Sequence, residues 1–278
     1  MRMSGPGHSA TTAYWAGTAI GRVRAAAAVP APLVTDSGAQ RHSKHGLAAP
    51  AMSAPMAWAN AQKQVQARRI MQVMTAQADP GGKCTSRKCR ASMPVARDLL
   101  ATQQAQIRNY FCGPATVSEM LAQMREKVGQ LRAARALGTT QNGTDWSNHS
   151  GYPVPDALNK NQSRNVYVAV PLPWSPTAAQ TKTYEIDLVT DINDDGGVPL
   201  AGNAYEVSGG PHLVGNPIDQ TIFHWFDIRG YGYSGAVTDY EDSVHGASSV
   251  GWSDAVPAYS SMSSSTIVEI LGARGYDW

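Results

Sequence analysis

Several things are scarce in this chain. It has only three cysteines in 278 residues, which excludes a disulfide-dense scaffold. Charged residues make up 16%, the net charge is +2, and no long run of Lys or Arg occurs, so nothing in the electrostatics points to nucleic acid. No stretch approaches ~18 apolar residues, so no transmembrane helix is expected. Hydrophobic residues still reach 42%, enough for a real core, and the length suits one moderate domain plus a tail. The low charge leaves a surface rich in Ser, Thr, Asn, Gln and Gly.

The first 80 residues differ from the rest. They are rich in Ala, Pro, Ser and Met and show no strand-like alternation. They read as a low-complexity tail, and RVRAAAAVPAPL within them reads either as a poor signal or pro-segment or as part of that tail. QKQVQARRIMQVMTAQ, residues 62–77, has helical composition. Structure proper is expected over 83–278. Cys84 and Cys89 stand five positions apart, spaced for a small disulfide or for two independent thiols. No second Cys or His pair stands at zinc-ligand spacing.

Apolar positions Val117, Leu121, Met124 and Val128 recur at helical spacing, which predicts a helix over 114–128 with Pro114 in its first turn. A second helix, 131–137, is closed by Gly138. Beyond it NVYVAVPLP, YEIDLVT, TIFHWFDIRG, VTDYEDSV and STIVEIL read as strands. Helices first and strands after describe an α+β domain with segregated halves.

The third cysteine, Cys112, stands alone in NYFCGPA, immediately before the predicted helix. A helix N-terminus favours the thiolate, the reactive form. Gly113 would let a substrate backbone approach, and Gln106, six residues upstream, would place an amide donor for an oxyanion beside the sulfur. A thiol nucleophile needs a base. Of seven histidines, His224 sits in the most strand-like segment, apolar on both faces and therefore central in a sheet. GYGYSG, 230–235, signals a hairpin turn. Counting outward from its midpoint puts residue 224 opposite 241 or 242. Asp242 would then orient the imidazole while Glu241 faces the other side, and a one-residue register shift would exchange them.

Together Gln106, Cys112-Gly113-Pro114-Ala115, His224 through Gly230-Tyr231, and Asp242 resemble the bacterial papain-like cysteine peptidases of family thirty-nine. That family is known for cleaving bacteriocin leaders after Gly-Gly. The resemblance covers roughly residues 100–278, with Gly143-Thr144 after the second helix also matching, and is nearest to secreted stand-alone members. It implies a papain-like fold, a helical lobe carrying the cysteine and an antiparallel sheet carrying the histidine and aspartate. It also implies Cys112 as nucleophile, His224 as base, Asp242 as its orienter, Gln106 as oxyanion donor, and a secreted bacterial protein. Two departures stand out. Ser243 replaces the usual Pro, and no transporter membrane domain or ATPase follows, so the Gly-Gly leader substrate is not carried over.

The expected function is hydrolysis of peptide bonds in a peptide or protein substrate. Acyl transfer by the same thiol and a catalytically silent peptide- or wall-binding module are the alternatives. No cofactor and no metal are expected, since Asp191, Asn193, Asp194 and Asp195 in DINDDGG lack the closing Glu of an EF-hand. The protein is expected to be a monomer.

Overall fold

The computed structural model describes residues 54–78, 94–194 and 196–278. The proposed Cys84–Cys89 bridge and signal segment lie outside them. The described residues form six α-helices and seven strands, in the order α1 (Ala54–Ala78), β1 (Arg97–Asp98), α2 (Cys112–Gln123), α3 (Gln130–Leu137), α4 (Pro153–Asn161), β2 (Ala169–Pro171), α5 (Ala178–Ile192), β3 (Leu200–Glu206), β4 (Ile222–Gly232), β5 (Val237–Glu241), β6 (Tyr259–Ser263), α6 (Ser264–Ile270) and β7 (Gly275–Asp277). The class is α+β, and every strand pairing is antiparallel.

The strands join in the order β2-β7-β3-β4-β5-β6, with β1 against the far end of β4. The apolar-on-both-faces strand is therefore central, as its sequence predicts. Its two faces feed two cores. Phe226 and Ile228 pack with Tyr184, Leu188 and Ile192 of α5 and with Ile267 and Val268 of α6. Trp225 packs with Val117, Met120 and Leu121 of α2 and with Val154 and Leu158 of α4. Each such fully buried side chain contributes about 1.5–3 kcal/mol. At the β3–β4 contact, Gly202 pairs with Phe226, and a Cβ there would lie 2.4 Å from the ring. The glycine gives the ring its space, so it is not a strand breaker.

The helices are not segregated from the strands, because two segments expected as strands are helical. YEIDLVT lies in α5. Thr177 caps that helix and Gln180 reciprocates, so a capping box sets its start upstream of the β-branched run. Tyr184, Leu188, Val189 and Ile192 then form one buried face. STIVEIL lies in α6, where Ser263 accepts the Thr266 N–H at 3.1 Å. In both, the cap and the helical apolar face override β-propensity.

Residues 54–78 also depart from the expected tail. They form α1, longer than the predicted 62–77, with Ala67 and Met74 in the core against α5. Lys63 Nζ reaches Asp191 Oδ2 at 2.8 Å and lies over the Trp278 ring. α2 begins at Cys112, two residues before the predicted start, and ends at Gln123, five before the predicted end. Gly138 closes α3 with φ +64°, the left-handed conformation glycine adopts without strain.

Candidate active site

Cys112 is the first residue of α2, so its own N–H has no intrahelical acceptor. His224 sits on β4, opposite Ala204 of β3. Asp242 follows the last residue of β5. The His224 Nε2–Asp242 Oδ1 distance is 2.9 Å, and both side chains are almost wholly buried. With Nε2 engaged, Nδ1 is the ring nitrogen left for Cys112, whose sulfur interacts with the imidazole. Asp242 is itself fixed. Oδ1 accepts the Val244 N–H at 2.8 Å, and the main chain is held by Ala258 and Gln103.

The charges follow from this placement. Burial alone pushes the Cys112 thiol up. The His224 imidazole, as partner and as charge, outweighs burial together with main-chain N–H groups of Trp225 and Gly113, and holds the thiol below its ordinary range. Burial pulls the His224 imidazole down, but the Asp242 carboxylate and then the Cys112 sulfur raise it well above the ordinary value. Both shifts run in the direction of a thiolate–imidazolium pair.

Gln106 is buried beside Cys112 and His224 on a cleft of about 310 Å³ that Asn109, Phe223 and Trp252 also line. Its Nε2 donates to the Arg108 carbonyl at 2.9 Å, and Ser243 Oγ donates to its Oε1 at 3.2 Å. The Gln106 N–H also donates to the Ser243 carbonyl at 2.8 Å. The residue that departs from the family pattern thus grips the amide and fixes which end is the donor. Gly113 has a different close neighbour from the one expected. A Cβ there would lie 2.5 Å from Thr144 Oγ1, so its missing side chain admits the 143–146 loop. Thr144 in turn accepts the Trp225 indole N–H at 3.0 Å.

The hairpin count reaches the correct pair by a different register. Asp227 pairs with Glu241 and Ile228 with Tyr240, and a bulge at Arg229 shifts the register before Gly230 meets Asp239. Residues 224 and 242 are therefore diagonal, not directly opposed, and the aspartate side chain bridges the offset. Glu241 goes to the other cluster, with Asp227.

That cluster escaped the sequence reading. Glu119 of α2, Asp227 of β4 and Glu241 of β5 bring carboxylate oxygens within 4.8 Å, and among the described residues this grouping has the geometry to hold a metal ion. Burial first, then mutual repulsion, raises Glu119 and Asp227 well above the usual carboxylate range. Burial raises Glu241, opposed by a hydrogen bond with Asp227. Gln104 N–H donates to Glu119 at 2.7 Å, and Gln123 Nε2 reaches Asp227 and Glu241. Glu119 Oε2, Asp227 Oδ1 and Glu241 Oε2 are buried without a hydrogen-bond partner, and burial with repulsion favours protons on the trio. Glu206 also went unnoticed. It lies near His224 and accepts from Asn216 and the Leu213 N–H. A buried acid has no sequence signature of its own. In DINDDGG, Asp191 is committed to Lys63 and Asp194 accepts from Gln66.

Among the described residues no helix is long and apolar enough to cross a membrane. No protein-family model matches the chain, and no curated protein aligns with it.

Proposed function

We propose that the protein is a papain-like thiol hydrolase of the family-thirty-nine type that cleaves peptide bonds, secreted by a bacterium. One observation carries this reading. Cys112 opens a helix beside a histidine that a buried aspartate holds at 2.9 Å.

The thiolate attacks the scissile carbonyl carbon. The oxygen takes up negative charge, which the Gln106 Nε2 and the Cys112 N–H oppose. As the C–N bond breaks, the His224 imidazolium gives its proton to the leaving amine, and a thioester remains on Cys112. Water then attacks the thioester while His224 takes its proton. The acid leaves, and the thiolate–imidazolium pair returns. Asp242 keeps the imidazole in the orientation that serves both steps.

The test is the pH dependence of Cys112 alkylation by iodoacetamide, in the wild type and in His224→Ala. Reaction persisting well below pH 7 and lost or shifted in the variant is the expected result. A thiol that reacts only near its ordinary pKa, indifferent to the variant, rejects the hydrolase and leaves a binding module.

A further inference from the structure

A second cavity, about 610 Å³, lies beyond the catalytic cleft. The two are joined by a stack of rings. Phe223, on the cleft wall, stacks on Tyr205 at 4.6 Å between centroids, nearly parallel. Tyr205 lines the second cavity and meets Trp174 edge-on at 5.1 Å. The Arg274 guanidinium lies over both Tyr205 and Phe223 and stiffens the pair. The ladder spans about three residues of extended chain.

Trp174 is 61% exposed, on the short connection between β2 and α5. A ligand covering the indole would gain part of the about 1.5–3 kcal/mol that full burial of a large apolar side chain gives. Around it the lining is mixed, with Pro176, Ala178, Val207, Pro211 and Val268 beside the polar Ser175, Thr181, Ser265 and Glu269. Thr181 already donates to the Thr177 carbonyl and Ser265 bonds Ser263, but a purely apolar side chain seated here would still strip water from Ser175 and the Glu269 carboxylate and return no hydrogen bond. A pyranose ring does not have this defect. Its C–H face lies on the indole while its hydroxyls exchange hydrogen bonds with the rim. The Glu269 carboxylate accepts from sugar hydroxyls and repels an acidic sugar. The volume is several times that of one amino-acid side chain, on the order of two rings.

We infer that this cavity is a subsite for a non-acidic, hydroxyl-rich oligosaccharide. Resting on the thiol-hydrolase reading, it makes the substrate a peptide carried on a glycan. The ring ladder sets the distance between the sugar and the scissile bond.

The full chain is titrated by calorimetry with chitotetraose, cellotetraose, maltotetraose and mannotetraose, and with a Gly/Ser decapeptide bearing one Phe. Trp174→Ala and Glu269→Gln are titrated alongside, and iodoacetamide alkylation of Cys112 is followed in all three proteins. The expected result is at least one tetrasaccharide bound with Kd below about 1 mM, weakened at least tenfold by Trp174→Ala and severalfold by Glu269→Gln, with alkylation unchanged. No saccharide binding at 10 mM, or binding that ignores Trp174→Ala, overturns the inference. So does Trp174-dependent binding of the Phe peptide alone, which makes the cavity an apolar peptide subsite. A Cys112 that alkylates no faster than an ordinary thiol rejects the hydrolase, and saccharide binding then stands as a property of the fold without the peptide substrate.

Discussion

Two buried ionisable triads are built from the same three elements. One takes Cys112 from α2, His224 from β4 and Asp242 from the end of β5. The other takes Glu119, Asp227 and Glu241 from the same helix and strands. In the first, signs alternate, and each group supports the charge of its neighbour. In the second, all three groups are acids, and burial with repulsion pushes them towards the neutral form. Burial opposes charge in both clusters; the partners counter it for Cys112 and His224 and add to it for Glu119 and Asp227. The partner decides, not the depth.

The largest expected effect breaks the first triad. Asp242→Ala removes the carboxylate that holds and supports the buried imidazole and is expected to cost up to about 3–5 kcal/mol, read as a lower midpoint in urea unfolding. Asp242→Asn keeps a hydrogen-bond acceptor and should lose less. If the two variants unfold together, the loss belongs to the carboxylate's charge and not to the hydrogen bond that Asn retains.

Next comes the oxyanion donor. Gln106→Ala should slow acylation by p-nitrophenyl acetate by about 10²–10³-fold, while iodoacetamide, which develops no oxyanion, reacts as before. Ser243→Ala should slow the same acylation about tenfold, one lost hydrogen bond's worth, and Ser243→Thr should restore it. Equal losses with both reagents would mean that the thiolate, not the oxyanion, was disturbed.

The second triad gives a smaller effect. Glu119 has its native pKa raised, so the folded protein keeps a proton that the unfolded chain releases above about pH 4.5. Stability falls as pH rises from there through the raised native value. Glu119→Gln, which keeps the acceptor for the Gln104 N–H, should gain about 1 kcal/mol at pH 8 and little at pH 5. A gain that is the same at both pH values would refute the protonated cluster.

Asp187 offers a pH-dependent change of its own. Burial raises it to about 7, against the Tyr276 hydroxyl at 2.6 Å, which lowers it. Its contribution to stability should fade between pH 4 and 7, and thermal unfolding of Asp187→Asn should show a flatter profile across that window. His224 has the same sign. Its raised imidazole contributes stability that is whole below about pH 6.5 and is lost as pH rises through the native value.

The sequence made the first triad legible and hid the second. Cys112 announces itself by standing alone before a helix start, and His224 by interrupting an apolar strand. Asp242 was reachable because a hairpin converts sequence distance into spatial distance, although the bulge at Arg229 spoiled the count itself. Glu119 and Asp227 carry no local mark of their burial, and only tertiary packing closes over them. Ser243 was visible as a departure from a pattern, but its grip on Gln106 spans 137 residues of chain and no local rule reaches that far. β3 and β7 went unread because Gly202 and Gly275 look like breaks. At Gly275 the nearest atom a Cβ would meet is the Val170 carbonyl oxygen on the neighbouring strand, at 2.0 Å.

Asp242 and Ser243 are consecutive. One holds the His224 imidazole, and the next holds the Gln106 amide. A shift of that single peptide unit displaces both at once. The chain just after β5 is therefore a common anchor for both side chains, and under the thiol-hydrolase proposal a ligand or modification that tugs it should silence the protein outright and leave its substrate preference unchanged.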